Sequence, residues 1–415
     1  MLTRRACLKA APALLLASNV ARAQSAADSQ SFDPVSALPH RAAFAAFDGV
    51  YLNSASQHPL RKSGRAAINR YLDYKTFAED SDYSNVRTYQ DVLGKYAMLI
   101  NADFDEVCFL QSTTAGENLV LKALGIPESG GRIVTDDLHY VGSQPTYAEM
   151  ATRGMDVVTL RADSDGRIGV DRFDAAIDRR TRIVCVSLVS MLNGHLHDLP
   201  AICEIAHSRG ALVYADVVQA VGGMPFDVRD SGVDFCAGTS YKWLMGEQGL
   251  GFLYVRRDRL GEIRRPWFGH YQLNRMRPLG FPATDGGSGI TDYVRADTTP
   301  GFFAMGSQPN ILAALLHDSL DYLLALTPER IQRYRQPLID RLQDALPRLG
   351  YAPLTPRDAG TPIVSFRHDA GGADATREKL RRANVTATVA PHHVRFSPSV
   401  FNDMDDIERV VDALG

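Results

Sequence analysis

Between residues 105 and 256 the chain alternates short apolar runs with longer amphipathic stretches. The runs are EVCFLQ (106–111), RIVTDD (132–137), MDVVTLR (155–161), RIVCVSLV (182–189), ALVYAD (211–216), VDFCAG (233–238) and LGFLYV (250–255). Each is rich in β-branched residues and too short for a helix of ordinary length, so each reads as a strand, and the stretches between them have helical length. Strands alternating with helices predict an α/β fold: a mostly parallel seven-stranded sheet covered on both faces, with ligands bound at the carboxyl ends of its strands. A helical pattern follows over about 308–349, and the runs PIVSFRH and VRFSPSVFN belong to a smaller α+β unit. The expected division is a linker or arm over 24–50, a large cofactor-binding domain over 51–305, and a helical connection with a small C-terminal domain over 306–415.

The first 23 residues have a different pattern. TRRACLKAAPALLLASNVARA combines Arg4-Arg5, a short apolar centre and the small-residue ending Ala21-Arg22-Ala23. This order predicts a twin-arginine-type export signal cleaved after Ala23, with an apolar run too short to span a membrane. The expected location is the periplasm, without a membrane anchor, and the twin-arginine machinery, which carries folded cargo, is a transient partner. Losing Arg4, Arg5, Lys9 and Arg22 with the signal moves the formal charge from -3 to -7. A mildly acidic mature chain argues against a nucleic-acid or anionic-membrane partner. At 45% hydrophobic and 22% charged, the composition is that of an ordinary globular protein. The cysteines beyond Cys7 are Cys108, Cys185, Cys203 and Cys236, three of them in apolar runs and none in a zinc or disulfide spacing.

The polar residues after the strands carry the candidate chemistry. Ser112, Thr113 and Thr114 open a helix after the first strand, where hydroxyls and free amides either cap the helix or cradle a phosphate. Asp216 ends ALVYAD, where a carboxylate is often only a cap; it could equally hold the protonated nitrogen of a pyridine ring, with Gln219 reaching the ring's phenolic oxygen. VDFCAGTSYK brings Thr239 and Ser240 beside Lys242, a lysine that either snorkels to water or, desolvated, forms a Schiff base. A phosphate nest, a carboxylate about 26 residues before a lysine, and a lysine after two hydroxyls together match the needs of pyridoxal 5'-phosphate.

YLNSASQHPL, STTAGENLV, VSLVSMLNG, YADVVQAVG, DFCAGTSYKWLMGEQGLGFLYV and VRFSPSVFND resemble the class V aminotransferase family of fold type I pyridoxal-phosphate enzymes, which includes cysteine desulfurases, kynureninase and isopenicillin N epimerase-like proteins. The resemblance runs from about residue 40 to the C-terminus and implies a homodimer with shared active sites. It implies that Lys242 carries the Schiff base, that Asp216 meets the pyridine nitrogen and Gln219 the phenolic oxygen, and that Thr113, Thr114, Thr239 and Ser240 lie near the phosphate. His139 matches the residue that stacks on the cofactor ring, with Tyr140 as its neighbour, and Arg395 matches the arginine that clamps a substrate carboxylate. Gly306 and Ser307, in MGSQPN, match a loop that reaches the partner subunit's phosphate site, and Asn193 is a candidate substrate or cofactor contact.

The chain departs from desulfurases in having no cysteine after Cys236, and it has Tyr241 where they commonly have histidine. Met191 stands where many relatives have asparagine. GHLH (194–197) and His392-His393 come with no convincing further ligand, so no metal is expected. The expected function is an exported enzyme acting on the primary amine of an amino acid or amino-acid-derived metabolite, of aminotransferase type. Epimerisation, elimination or decarboxylation on the same scaffold, and a non-catalytic cofactor-binding role, stay open. In its signal and fold the chain also resembles the exported members that tailor peptide siderophores, which implies such a peptide as an alternative substrate.

Overall fold

The computed structural model describes residues 37–45, 48–77, 83–276, 293–368 and 370–415; the expected signal and most of the expected linker lie outside them. All seven predicted strands form one sheet. We number them β2 (Val107–Leu110), β3 (Arg132–Asp136), β4 (Asp156–Leu160), β5 (Thr181–Ser187), β6 (Leu212–Asp216), β7 (Phe235–Thr239) and β8 (Gly251–Val255), after β1 (Val50–Tyr51). Their spatial order is β2-β8-β7-β6-β5-β3-β4; β8 runs antiparallel to β2 and β7, and the remaining pairs are parallel.

Alternate residues feed two separate cores, which is why the strands read as unbroken apolar runs. Val184, Val186, Val213, Ala215, Cys236 and Phe252 pack beneath the helices 85–99, 199–208 and 310–326. Ile183, Cys185, Tyr214, Phe235, Ala237 and Leu253 pack on the other face, beneath the helices 113–123 and 144–152. The parallel strands β5, β6 and β7 therefore end side by side, with Ser187 opposite Asp216 in the register and Asp216 opposite Ala237.

The remaining strands are β9 (Leu273–Met276), β10 (Tyr293–Arg295), β11 (Val364–Arg367), β12 (Val385–Thr386), β13 (Thr388–Val389) and β14 (His393–Phe396). β11, β14 and β13 form a small antiparallel sheet backed by helices 328–345, 372–382 and 404–414. Its core includes Leu338, Leu342, Phe366, Val394, Phe396 and Ile407, together with Val50 and Leu52 from near the other end of the described chain. β1 pairs in parallel with β12, so the arm is part of the C-terminal unit. Helix 310–326 goes the opposite way: its Leu316, Leu320 and Leu323 join the large core. The break expected at 51 thus falls inside the paired strand β1, while the one expected at 306 lies in a loop but assigns helix 310–326 to the smaller unit although it packs with the large core, because apolar periodicity specifies which face is buried and not which unit buries it.

Leu52 is fully buried where the arm meets the small unit. Leu52→Ala should lower the unfolding free energy by about 2–5 kcal/mol, measured as a reduced urea midpoint with an unchanged slope.

Candidate active site

After β7 the chain turns sharply through Ser240, Tyr241 and Lys242. Met245, at φ +57°, donates its N–H to the Lys242 carbonyl at 2.8 Å, and Gly246 donates to the Ser240 carbonyl at 2.7 Å. The turn is packed against Gly222, at φ +88°, where a Cβ would stand 2.5 Å from the Trp243 carbonyl oxygen. Buried Trp243 donates its indole N–H to Gln219 at 2.9 Å. This packing turns the Lys242 side chain into a cavity at the strand ends.

Lys242 is 7% exposed. Burial pushes its amine down from 10.5 to about 8; the Asp216 carboxylate opposes that shift and the Arg395 guanidinium adds to it. Asp216 also lines the cavity, and its carboxyl is pushed up by burial against the pull of His139, the Val218 N–H and Lys242. Its Oδ1 accepts the Val218 N–H at 2.9 Å. Gln219 lines the same cavity, giving one amide hydrogen to the Ala55 carbonyl at 3.0 Å and keeping a second.

The opposite end of the cavity is the start of helix 113–123. Ser112 caps it, accepting the Ala115 N–H at 3.2 Å. Thr113, Thr114 and Thr239 face the cavity. Unsatisfied first-turn amides, the positive end of the helix dipole and three hydroxyls make an anion site.

Arg395 is 3% exposed, on the strand face opposite the small core. It donates to the Met191 carbonyl at 2.7 Å, Ser56 Oγ at 2.6 Å and Thr388 Oγ1 at 3.0 Å. Its Nε is buried without a partner. Every acceptor is neutral, and burial pushes the guanidinium down to about 10. A cation held this way, with Met191 at the cavity wall, is suited to a carboxylate brought by a ligand.

Five expected residues lie elsewhere. His139 is fully buried behind the cavity, its ring nitrogens engaged by Ser187 and by Glu117 and Tyr147, while Tyr140 lines the cavity in its place. Asn193 holds a loop together, donating to the Gly166 carbonyl at 2.7 Å and accepting the His195 N–H at 3.0 Å. Ser240 Oγ donates to the Glu247 carbonyl and faces away from the cavity. Gly306 and exposed Ser307 lie in the loop before helix 310–326 and off this chain's cavity; a role in a partner's site is not a property of one chain. Conversely, Ser187 lines the cavity although it read as part of an apolar strand. Its only sequence signal is its place at a strand end, like Asp216 and Thr239.

A buried low-pKa amine, a buried carboxylate and a helix-start anion cradle fit pyridoxal 5'-phosphate, and with this α/β architecture they define a fold type I pyridoxal-phosphate protein. Solved structures agree on the fold. The cysteine desulfurase CsdA of Escherichia coli superposes with a TM-score of 0.77 at 22% identity, covering 92% of this chain and 98% of that one. A lysine variant of C-DES with glycine covalently linked to its pyridoxal phosphate superposes with a TM-score of 0.77 at 21% identity, covering 91% and 99%. Residues 51–410 match the family model of aminotransferase class-V, and the chain belongs to that family. A probable cysteine desulfurase of Methanothermobacter thermautotrophicus is 31% identical over 306 residues, 71% of this chain and 72% of the relative. An uncharacterised aminotransferase of Bacillus subtilis, YcbU, is 24% identical over 372 residues, covering 88% and 93%. Pyridoxal 5'-phosphate is the cofactor that family and donor set imply.

A lysine held at about 8 binds its proton less readily folded than unfolded. The resulting stability cost is complete below about 8 and disappears as pH rises to 10.5. Cofactor-free Lys242→Met should therefore be more stable than the parent near neutral pH, by on the order of 3 kcal/mol. The difference should close as pH approaches the ordinary lysine value, measured by urea unfolding at several pH values.

Proposed function

We propose that the protein is a pyridoxal-phosphate-dependent enzyme acting on the primary amine of an amino acid or amino-acid-derived metabolite, by transamination. The observation that carries this reading is the pairing of Lys242, a buried amine at about 8, with Arg395, a buried cation whose partners are all neutral. Bound pyridoxal phosphate supplies an electron sink for a carbanion next to the substrate nitrogen. Lys242, neutral in a large share of molecules near pH 8, takes and returns the proton at the substrate carbon. Asp216 holds the proton on the ring nitrogen, and Arg395 fixes a substrate carboxylate. Tyr140, Tyr241 and Met191 wall the cavity from water.

No thiol among the described residues has a part in this chemistry. Cys108, Cys185, Cys203 and Cys236 are buried and free, and burial pushes each thiol well above its ordinary range. A second reading, carbon–sulfur bond cleavage by elimination, is favoured by the name of the 31% identical relative, a probable cysteine desulfurase, and it too can proceed without a protein thiol.

Two further parts of the proposal rest on other residues. Arg4-Arg5 and the Ala21-Arg22-Ala23 ending support export of the folded holoprotein to the periplasm. Exposed Trp267, Phe268 and Tyr271 support a homodimer that buries this face.

The visible spectrum of the loaded protein, followed as amino acids and small amine-bearing peptides are added without a keto acid, tests the reading. Loss of the parent band, with conversion of the cofactor to its amine form, is expected for the true donor. An unchanged cofactor with accumulating product points to elimination, epimerisation or decarboxylation; release of sulfide from cysteine would select the second reading. Lys242→Ala that leaves every activity intact would leave only the non-catalytic role. Arg395→Ala should reduce kcat/KM for carboxylate-bearing substrates by about a hundredfold, mostly through KM, in steady-state assays.

A further inference from the structure

Ser187 ends β5 directly opposite Asp216, so its hydroxyl and the carboxylate share the cavity floor. Two groups meet its Oγ from behind: the Tyr140 N–H at 3.1 Å and His139 Nδ1 at 2.8 Å. The other ring nitrogen of His139 lies 3.3 Å from Glu117 Oε1 and 3.1 Å from the Tyr147 hydroxyl. Tyr147 spends its one hydrogen on Glu117, and Ser143 gives its hydrogen to the other Glu117 oxygen at 2.6 Å. Nε2 therefore has to be a donor.

The state of Nδ1 then decides what Ser187 can do. A neutral His139 protonated at Nε2 would take the Ser187 hydrogen for itself. A cationic His139 donates to Ser187 Oγ, which already accepts the Tyr140 N–H, and the Ser187 hydrogen is left to point into the cavity. Glu117, from helix 113–123, is the carboxylate in contact with His139. Asp136, at the end of β3, and Asp216 act on it at longer range, while Asp136 is itself engaged by His197 at 3.3 Å. Burial alone would push the imidazole down, but these three carboxylates more than offset it and push it up. Glu117, which burial would push up, is pushed down by His139, Ser143 and Tyr147. Both directions describe an imidazolium–carboxylate pair.

We infer that Glu117, His139 and Ser187 form a relay that presents the Ser187 hydroxyl as a hydrogen-bond donor to the cofactor ring beside Asp216. Ser187 is the contact, and Glu117 and His139 are positioning residues. The inference rests on the pyridoxal-phosphate reading of the same cavity and assigns His139 a place behind the ring's binding site.

The test uses holoprotein loaded with pyridoxal phosphate, comparing the parent with Glu117→Gln, Ser187→Ala and the double variant. Two quantities are read: the cofactor dissociation constant by equilibrium dialysis, and the pH midpoint of the visible band. Each single variant should bind the cofactor about tenfold more weakly and shift the midpoint by about half a pH unit or more, as expected for one hydrogen bond to a charged group. The double variant should be no worse than the singles, because both cut the same line. Parent-like affinity and midpoint in Ser187→Ala, or effects that add in the double variant, would overturn the relay. Should Glu117→Gln fail to fold, Ser187→Ala, which removes one oxygen, decides alone. A parent protein that takes up no pyridoxal phosphate would instead overturn the proposed function, so the two failures are distinct.

Discussion

Everything at the site depends on holding an amine and a carboxylate close together out of water. Lys242 and Asp216 each support the charged form of the other, yet burial moves both toward neutrality. Water would dissolve that tension, and a lysine in solvent would be an ordinary cation. The sheet provides the dry setting. β6 and β7 are hydrogen-bonded neighbours within two apolar cores, so their ends cannot drift apart, and Trp243, Gln219 and Gly222 fix the turn that carries the amine.

The large sheet was legible strand by strand because each strand is buried on both faces and so reads as an uninterrupted apolar run. Lys242, Asp216, Gln219, Thr113, Thr114 and Thr239 were legible as a set: each alone at the end of such a run could be a cap or a snorkelling side chain, but together they fit the needs of one cofactor. The pairing of β1 with β12 was not: two-residue strands have no period to detect, and their partner lies far along the chain. Glu117 was hidden in a helix that also read as an ordinary amphipathic one, and Ser187 in an apolar strand. The choice between His139 and Tyr140 depends on which side chain the turn after β3 points inward, and neighbouring residues in a turn share one sequence signal.

The same core chemistry serves relatives with different names, and the features that separate this chain from them lie around that core. Tyr241 and Met191 give the cavity an aromatic and thioether wall. The four described cysteines have been absorbed into packing, where a small weakly polar side chain is useful and its nucleophilicity is suppressed.

The arm bears on how the protein comes into being. Ser56 hydrogen-bonds Arg395, 339 residues later, and Ala55 anchors Gln219. A nascent chain that has already formed its large sheet still lacks the final shape of its cavity, because the segment that closes it waits for strands made more than a hundred residues later. Contacts of such long sequence separation form late and slowly. Chains that stop short of β13 and β14 would thus carry Lys242 without the walls that tame it, and competence for chemistry would arrive only once Thr388 and Arg395 are in place.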